Sequence, residues 1–231
     1  MGESVVDITA ADIVGWDVRT WSKAVDYWRA ELPASAAPLR CLEIGAGPGG
    51  PSLWLALQGH EVTCSNFQNT REQASPLHER FGIRSIAYED IDANDIPYEG
   101  EFDIVIFKSV LGGAASTVEA QAGVIRQIHA ALKPGGTLLY AENLRGTWLH
   151  RAARAVAYRV RRASWRFVSP KELRGMLAVF DRHEFRSTGF LSLFGVTEAQ
   201  RGALAAADDA VFNRVPQDWR YVGFGKAVKR R

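Results

Sequence analysis

Strand and helix patterns alternate along the middle of this sequence, and this order restricts the possible fold more than any other feature. Between residues 39 and 142, short apolar runs typical of strands are separated by segments whose apolar residues have helical spacing. Such an order predicts parallel strands joined by right-handed crossovers. The strands are predicted at residues 40–44, 61–66, 83–88, 102–107 and 137–141. A sheet of this kind binds its ligands beyond the carboxyl ends of its strands.

Length and composition are those of one domain. The chain has 231 residues, 47% of them hydrophobic, so a second core is not required. We expect an α/β fold with a doubly wound, mostly parallel seven-stranded sheet, an antiparallel last strand, N-terminal helices and a cap helix inserted after strand five. The last two strands are predicted near residues 190–194 and 220–227.

Helix signals flank these strands. In the N-terminal region, apolar residues recur at helical spacing and predict one buried helix face: Trp21, Ala24, Val25 and Trp28. Capping-box pairs predict three further helix starts: Thr70 with Gln73, Ser116 with Glu119, and Ser169 with Glu172.

Residues 143–168 form a basic, amphipathic segment, expected to lie as a helix over the ligand site. On a helical projection its apolar residues fall on one side: Leu149, Ala153, Val156 and Val160. The arginines fall opposite: Arg151, Arg154, Arg159, Arg162 and Arg166. The arginine side could bind an anionic acceptor, a membrane surface or a partner, but a solvated helix face is favoured.

The formal net charge of +2 gives the whole molecule no general attraction for nucleic acid. No apolar run reaches the roughly 18 residues of a membrane span, and the first residues lack the pattern of a signal peptide. We therefore expect a cytoplasmic protein without stable membrane association and without a nucleic-acid partner. Cys41 and Cys64 are expected in strands as small buried hydrophobes. The histidines show no ligand spacing, so no metal is predicted.

The sharpest local feature is a glycine-rich turn after the first strand, where Glu43 precedes the segment Gly45-Ala46-Gly47-Pro48-Gly49-Gly50. Glycines there let the backbone bend tightly and let a ligand approach closely. The same glycines satisfy the dinucleotide-binding pattern, yet that pattern also needs an acid about 20 residues further on, where Asn66 stands. Glu43 would repel a pyrophosphate, whereas it can attract a cationic amine.

With these residues the sequence resembles the class I S-adenosylmethionine-dependent methyltransferase family. Three further segments are similar to family motifs in order and spacing: 92–98, 101–106 and 132–136. The resemblance implies S-adenosylmethionine as cofactor and S-adenosylhomocysteine as product. It implies these cofactor-binding residues: Glu43, Gly45, Ala46, Gly47, Gly49, Asn66, Asp92, Ala93 and Lys108. Asn66 departs from the family, which has an acid there for the ribose hydroxyls, and an amide pairs with a hydroxyl less strongly.

On this interpretation, residues 1–231 are a single methyltransferase domain with four parts. These are an N-terminal helical lid (1–32), a cofactor-binding core (39–142), a basic helical insertion (143–168) and a C-terminal helix with strands (169–231).

Methyl transfer is an in-line displacement, so the protein mainly has to align the acceptor and exclude water. A hydroxyl acceptor also needs a base to take its proton. The catalytic candidates, which follow strands or begin the cap, are Glu142, His150 and Lys108. Contacts to the acceptor are expected from Trp16, Trp21, Tyr27 and Arg145.

We therefore expect methyl transfer to the hydroxyl oxygen of a small molecule, either a saccharide or a natural product. N-methylation of a small amine stays open. Two other classes also stay open, a nicotinamide-dependent oxidoreductase and a non-catalytic cofactor-binding protein. The partner is then a small-molecule acceptor, and a homodimer is possible.

Overall fold

Seven strands form one sheet in the computed structural model, which describes residues 7–161, 165–211 and 214–231. They are β1 (Arg40–Ile44), β2 (Glu61–Asn66), β3 (Ala87–Asp90), β4 (Phe102–Lys108), β5 (Leu132–Asn143), β6 (Arg182–Thr188) and β7 (Val222–Val228). Their order across the sheet is β3-β2-β1-β4-β5-β7-β6. Strands β1 to β5 pair in parallel, and β7 runs antiparallel to both β5 and β6. The predicted doubly wound sheet is confirmed, and the carboxyl ends of β1 to β5 meet at one edge.

Helices cover both faces of the sheet. They are α1 (Ala10–Val14), α2 (Val18–Glu31), α3 (Gly50–Leu57), α4 (Thr70–Arg80), α5 (Leu111–Ala114), α6 (Val118–Ala131), α7 (Trp148–Arg161), α8 (Pro170–Leu177) and α9 (Glu198–Ala210). Short 3-10 turns lie at Ser192–Phe194 and Gln217–Trp219. Within the described parts of the chain, no helix has both the length and the apolar content needed to cross a bilayer.

The buried apolar residues form two clusters, and the N-terminal helices contribute to one of them. Trp21, Ala24, Val25 and Trp28 are all buried, as their spacing predicts. The ring of Trp28 stacks on that of Trp54 with 6.4 Å between centroids, so α2 is attached to α3. The same cluster contains residues of β1, β4 and β5, and the Trp21 ring lies 4.5 Å from Nζ of Lys108 at the end of β4, so the start of α2 lies beside the carboxyl edge of the sheet.

Helix α7 is oriented opposite to the sequence-based expectation. Leu149 and Val156, predicted to share a packed apolar side, are exposed, while Arg154, predicted on the arginine side, is buried. The Arg154 guanidinium donates a hydrogen bond to the Leu144 carbonyl and lies 3.9 Å from the centroid of the Phe167 ring. A guanidinium can be buried in this way because its fork finds an acceptor and an aromatic face, which a hydrophobicity pattern does not report.

Two strands differ from their predicted positions. Residues 190–194 form a bend and a 3-10 turn, and the sixth strand lies at β6 instead. The sequence of β6 is mostly polar because it is an edge strand whose first residues are exposed. The third strand begins at Ala87 rather than residue 83, and it is also an edge strand. Edge strands lack the apolar alternation that makes inner strands visible in a sequence.

The helix starts are partly as predicted. The capping box of Ser169 and Glu172 is confirmed at α8. At α6 the cap is Thr117, whose hydroxyl accepts from the Ala120 amide, so the predicted Ser116 box is wrong by one residue. The predicted Thr70 box is also wrong, because the Thr70 hydroxyl bonds to the strand ends and α4 is preceded by Asn69 in a left-handed conformation.

Candidate active site

A cavity of about 420 Å³ opens at the carboxyl edge of the sheet, within the size range of small-molecule sites. Its wall comes from the turns that follow β1, β2, β3 and β4 and from the segment after α7. The lining residues are Ile44, Gly45, Asn66, Phe67, Ile91, Asp92, Ala93, Asn94, Ser109, Val110, Gly113, Ala114 and Trp165. Of the residues predicted to bind a cofactor, Gly45, Asn66, Asp92 and Ala93 are thus brought together at one wall.

The glycine-rich turn leaves β1 with positive φ angles, 65° at Gly45 and 51° at Gly47. A Cβ atom on Gly45 would lie 2.5 Å from a methyl group of Val110, so glycine is required for the β4 turn to approach β1. A Cβ atom on Gly47 would meet nothing within 4 Å, so the protein leaves open space beside this residue. The turn therefore offers bare main chain to a ligand.

Glu43 lies buried directly behind this turn. Its carboxylate accepts a hydrogen bond of 2.7 Å from the Ser52 amide in the first turn of α3. Burial raises the pKa of Glu43 to about 8, although the Ser52 contacts and the Lys108 ammonium act in the opposite direction. Glu43 thus holds the start of α3 in place through a hydrogen bond, and with its raised pKa its carboxyl group loses its proton only at a higher pH than an ordinary glutamate.

The wall formed by the β2 and β3 turns carries polar groups. One oxygen of Asp92 accepts bonds of 2.8 and 2.9 Å from the backbone and side-chain nitrogens of Asn94. The Asn66 side-chain amide donates one of its two N–H groups to Gln73 at 2.8 Å, so its other N–H and its carbonyl oxygen can pair with a ligand hydroxyl. The ring of Phe67 beside them is 62% exposed and offers an aromatic face.

The turn after β4 is strained and firmly held. Ser109 has a φ of 59°, unusual for a residue with a side chain, and its hydroxyl accepts a bond from the Asn143 side chain. Glu142 is buried, and one of its oxygens accepts from the amides of Val110 at 2.9 Å and Leu111 at 2.8 Å. Its other oxygen accepts from the Asn143 amide at 2.7 Å. Burial raises the pKa of Glu142 to about 7, against the effect of these bonds. Glu142 therefore fixes the turn that forms the cavity wall.

Lys108 extends from the end of β4 toward the N-terminal helices. Its Nζ lies 4.5 Å from the centroid of the Trp21 ring and 5.5 Å from that of Trp16. Burial lowers the pKa of Lys108 to about 8, although the carboxylates of Glu142, Glu43 and Asp17 raise it. The structure thus joins three predicted site residues, Lys108, Trp16 and Trp21, in one cluster.

Residues 42–140 match the family model of the methyltransferase domain. This segment is a methyltransferase domain. The resemblance to class I S-adenosylmethionine-dependent methyltransferases is confirmed, because the matched residues contain Glu43, the glycine turn and Asp92. No curated protein matches the chain in sequence.

Solved structures share the fold of the methyltransferase domain at low sequence identity. A phosphoethanolamine N-methyltransferase 2 of Haemonchus contortus is 18% identical with a TM-score of 0.64, covering 91% of this chain. This chain spans only 53% of that enzyme. A SAM-dependent methyltransferase from Methanosarcina mazei is 17% identical with a TM-score of 0.60, covering 84% of this chain and 93% of its own. The [4+2]-cyclase SpnF is 20% identical with a TM-score of 0.62, covering 91% and 83%. At such identities the likeness shows the fold.

Several predicted site residues lie outside the lining of the methyltransferase domain's cavity. His150 is buried in the C-terminal part, where Nδ1 accepts from the Thr147 amide and Nε2 donates to the Phe190 carbonyl. Both ring nitrogens are thus engaged, and burial lowers the pKa of His150. Tyr27 donates to Glu184 on β6, away from Trp16 and Trp21. Arg145 is exposed just after β5.

Two residues at the site were not expected from the sequence. Trp165 packs over Gly112 and Gly113, where an added Cβ on Gly112 would overlap the indole nitrogen. That indole nitrogen is buried without a hydrogen-bond partner in the described structure. Two consecutive glycines after a strand were the available signal, since they leave room for a large ring from elsewhere.

The other is Asp17, at the start of α2. It is 1% exposed, has a φ of 46°, and accepts a hydrogen bond from the Tyr221 hydroxyl. Its second oxygen, Oδ1, is buried without a partner in the described structure, and burial raises the pKa of Asp17 to about 6. A pattern of spacing could not reveal it, because its position depends on Tyr221, which lies 204 residues away.

Metal-ligating side chains do not converge in the described residues, where no group of three His, Cys, Asp or Glu is placed to hold an ion. Cys41 and Cys64 are free and buried, as predicted for cysteines inside strands.

Proposed function

We propose that this protein transfers a methyl group from S-adenosylmethionine to a small-molecule acceptor. The observation that carries the proposal is the cavity at the carboxyl edge, whose wall includes Gly45, Asp92 and Ala93 of the methyltransferase domain. The low net charge of +2 supports a small molecule rather than a nucleic acid as acceptor.

The residues at this cavity fit the cofactor. Asn66, Phe67 and Asp92 provide an amide, an aromatic face and a carboxylate, the groups that suit a ribose and an adenine. Gly47 leaves open space for the amino-acid part, near the carboxylate of Glu43. When bound, the cofactor supplies a methyl group on a cationic sulfur, which needs no further activation.

The acceptor is proposed to lie beside Lys108, against the exposed part of Trp16. Trp16 is 37% exposed, so its indole can stack on a saccharide ring, the acceptor we favour. With a pKa of about 8, Lys108 is partly neutral near that pH and can take the proton of an acceptor hydroxyl. The other two catalytic candidates, Glu142 and His150, have their oxygens and ring nitrogens engaged in hydrogen bonds within the protein. Lys108 is therefore the candidate that we propose as the base.

N-methylation is the second candidate. Three carboxylates, those of Asp17, Glu43 and Glu142, lie close enough to Lys108 to raise its pKa. The same carboxylates would attract a cationic amine acceptor to this position. A nicotinamide-dependent oxidoreductase is disfavoured by the family match of residues 42–140. A non-catalytic role stays open, since SpnF shows that this fold also occurs in a cyclase.

Turnover with labelled S-adenosylmethionine tests the function. The purified protein is incubated with methyl-labelled cofactor and fractions of small molecules, and labelled product is separated by chromatography. Methyl transfer to a product resistant to mild acid and base identifies an ether or an amine. Binding of S-adenosylmethionine without transfer to any fraction would support the non-catalytic role, and binding of NAD instead would contradict the proposal.

Lys108→Met tests the base. The wild-type rate is expected to rise with pH around a midpoint near 8, because the neutral amine is the active form. In Lys108→Met we expect a loss of about 10²-fold or more and no such limb in the pH profile. Lys171→Met, at an exposed lysine, is the matched control. If the rate of Lys108→Met still rose with pH around the same midpoint, the titrating group would be the acceptor or Glu142 rather than Lys108.

A further inference from the structure

The outer face of α7 is an exposed apolar surface. Trp148 and Val156 are each 68% exposed and Leu149 is 42% exposed. Ala152 and Ala155 are exposed between them, and these five positions fall on one side of the helix. We call this surface the α7 outer face.

The inner side of the same helix is polar. His150 is buried among aromatic rings, 5.2 Å from the Phe194 centroid, and Arg154 is buried against Leu144 and Phe167. Helices on the surface of water-soluble proteins have the reverse arrangement, with apolar residues inside and charged residues outside. The buried contacts of His150 and Arg154 fix this orientation of α7, so Trp148 and Val156 lie on the outside of the described structure.

The segment that carries the α7 outer face has an extreme charge. Between Glu142 and Glu172 the sequence contains eight of the chain's 28 Lys and Arg residues and none of its 26 Asp and Glu residues. The remainder of the chain therefore has more acidic than basic residues. Arg151 is exposed at the border of the outer face, and Arg145 is exposed just before the helix. An apolar face bordered by arginines without acids matches a surface with anionic head groups above apolar chains.

We propose that the α7 outer face docks on an anionic lipid surface. Trp148, Leu149 and Val156 enter the boundary between head groups and acyl chains, and the arginines contact the head groups. This docking is reversible and requires no spanning helix, and it does not depend on the proposed methyl transfer. A second copy of the chain is a poorer occupant, because a two-fold contact would place one arginine-rich segment against another.

Vesicle cosedimentation of the full chain tests the proposal. We expect sedimentation with phosphatidylcholine vesicles that contain about one third phosphatidylglycerol, and little with phosphatidylcholine alone. Raising the salt to about 0.5 M should weaken binding because it shortens the screening length. Absence of binding to the anionic vesicles, or equal binding to both, would overturn the proposal.

Exposed residues on two surfaces provide matched variants. Trp148→Ser is expected to weaken binding about tenfold or more, and Arg151→Gln to weaken it less, mainly at low salt. Trp219→Ser, at another exposed tryptophan (49%), should bind like the parent chain. Equal binding by Trp148→Ser and the parent would overturn the assignment of the face. Light scattering distinguishes the other occupant: a parent dimer that Trp148→Ser converts to a monomer would show that a second copy covers α7.

Discussion

Glu142 illustrates how far a residue type predicts a role. Its position after β5 suggested a base, and the structure adds three backbone amides that bind its two oxygens. Two of these amides lie at the cavity wall: Val110 lines the cavity, and Leu111 follows it as the first residue of α5. The catalytic assignment of Glu142 stays a prediction, but its contacts make a positioning role the better-supported hypothesis.

Glu142→Gln separates these two roles. The amide group would place a donor where a backbone amide now donates, leaving at least one buried amide unpaired at a cost of about 1–3 kcal/mol. A positioning role therefore predicts lower thermal stability and weaker binding of S-adenosylhomocysteine, together with lower turnover. Calorimetric titration and thermal unfolding measure both. If turnover fell while affinity and stability stayed those of the wild type, Glu142 would act in the chemistry instead.

Gly47→Val tests the cofactor site at the glycine turn. The space beside Gly47 is open, so a side chain there would occupy room that the ligand needs. We expect at least a tenfold loss of affinity for S-adenosylhomocysteine by calorimetry. Gly82→Val is the matched control, because Gly82 also has a positive φ, 70°, and open space, but lies outside the cavity lining. Equal affinity in a folded Gly47→Val variant would exclude this turn from the site.

The sequence reveals a site residue when its neighbours in the chain supply the reason for its identity. Gly45, Asp92 and Ala93 belong to short segments with a recognisable order, and they do line one cavity. Asp17 and Trp165 depend on distant residues, Tyr221 and Gly112 respectively. His150 has its ring fixed by Phe190, forty residues away, so its local sequence could not exclude a catalytic role.

At the scale of elements, the inner strands were predictable and the edges were not. Buried parallel strands such as β4 are apolar on both faces and stand out in a sequence. The polar edge strand β6 does not stand out. Residues 190–194 resembled a strand because four of the five are apolar, but Phe190 and Phe194 pack against the ring of His150 instead. The predicted orientation of helix α7 was wrong for a related reason, because the buried face of this helix is polar.

The start of α6 offers a test at this scale. Thr117 caps the helix through its hydroxyl, whereas Ser116 is exposed and has no capping bond. Thr117→Ala is expected to lower the free energy of unfolding by about 1 kcal/mol. Ser116→Ala should change it by less than about 0.5 kcal/mol. Chemical denaturation of both variants measures the difference, and a larger loss in Ser116→Ala would restore the capping box read from the sequence.

For the whole molecule, the parallel direction of strands β1 to β5 follows from the alternating pattern, whereas the electrostatics of the site depend on how distant segments come together in the fold. Segments far apart in the chain bring Asp17, Glu43 and Glu142 around one lysine. Each of these carboxyls is buried, and burial raises the pKa of each. No local sequence property encodes this cluster, although it determines how the folded state responds to pH.

Asp17→Asn makes that response measurable. Burial raises the pKa of Asp17 from 3.8 to about 6, so the folded state holds this proton more tightly than the unfolded state. The stabilisation is fully present below pH 4 and is lost as the pH rises through 6. A shift of this size corresponds to about 3 kcal/mol at most. Because asparagine tolerates the left-handed conformation and carries no charge, Asp17→Asn should gain stability relative to the wild type between pH 4 and 7.

Asp209→Asn is the matched control because the sign is reversed there. Asp209 is partly buried, which raises its pKa, but Lys23 and Arg19 pair with it and the net shift is downward. Its contribution to stability is present above pH 4 and is lost as the pH falls further. Urea denaturation at a series of pH values should therefore show that Asp17→Asn improves relative to the wild type as the pH rises, while Asp209→Asn deteriorates. Parallel pH curves for the wild type and Asp17→Asn would mean that the Asp17 carboxyl is solvated, and then Asp17 could not contribute a buried charge beside the proposed acceptor.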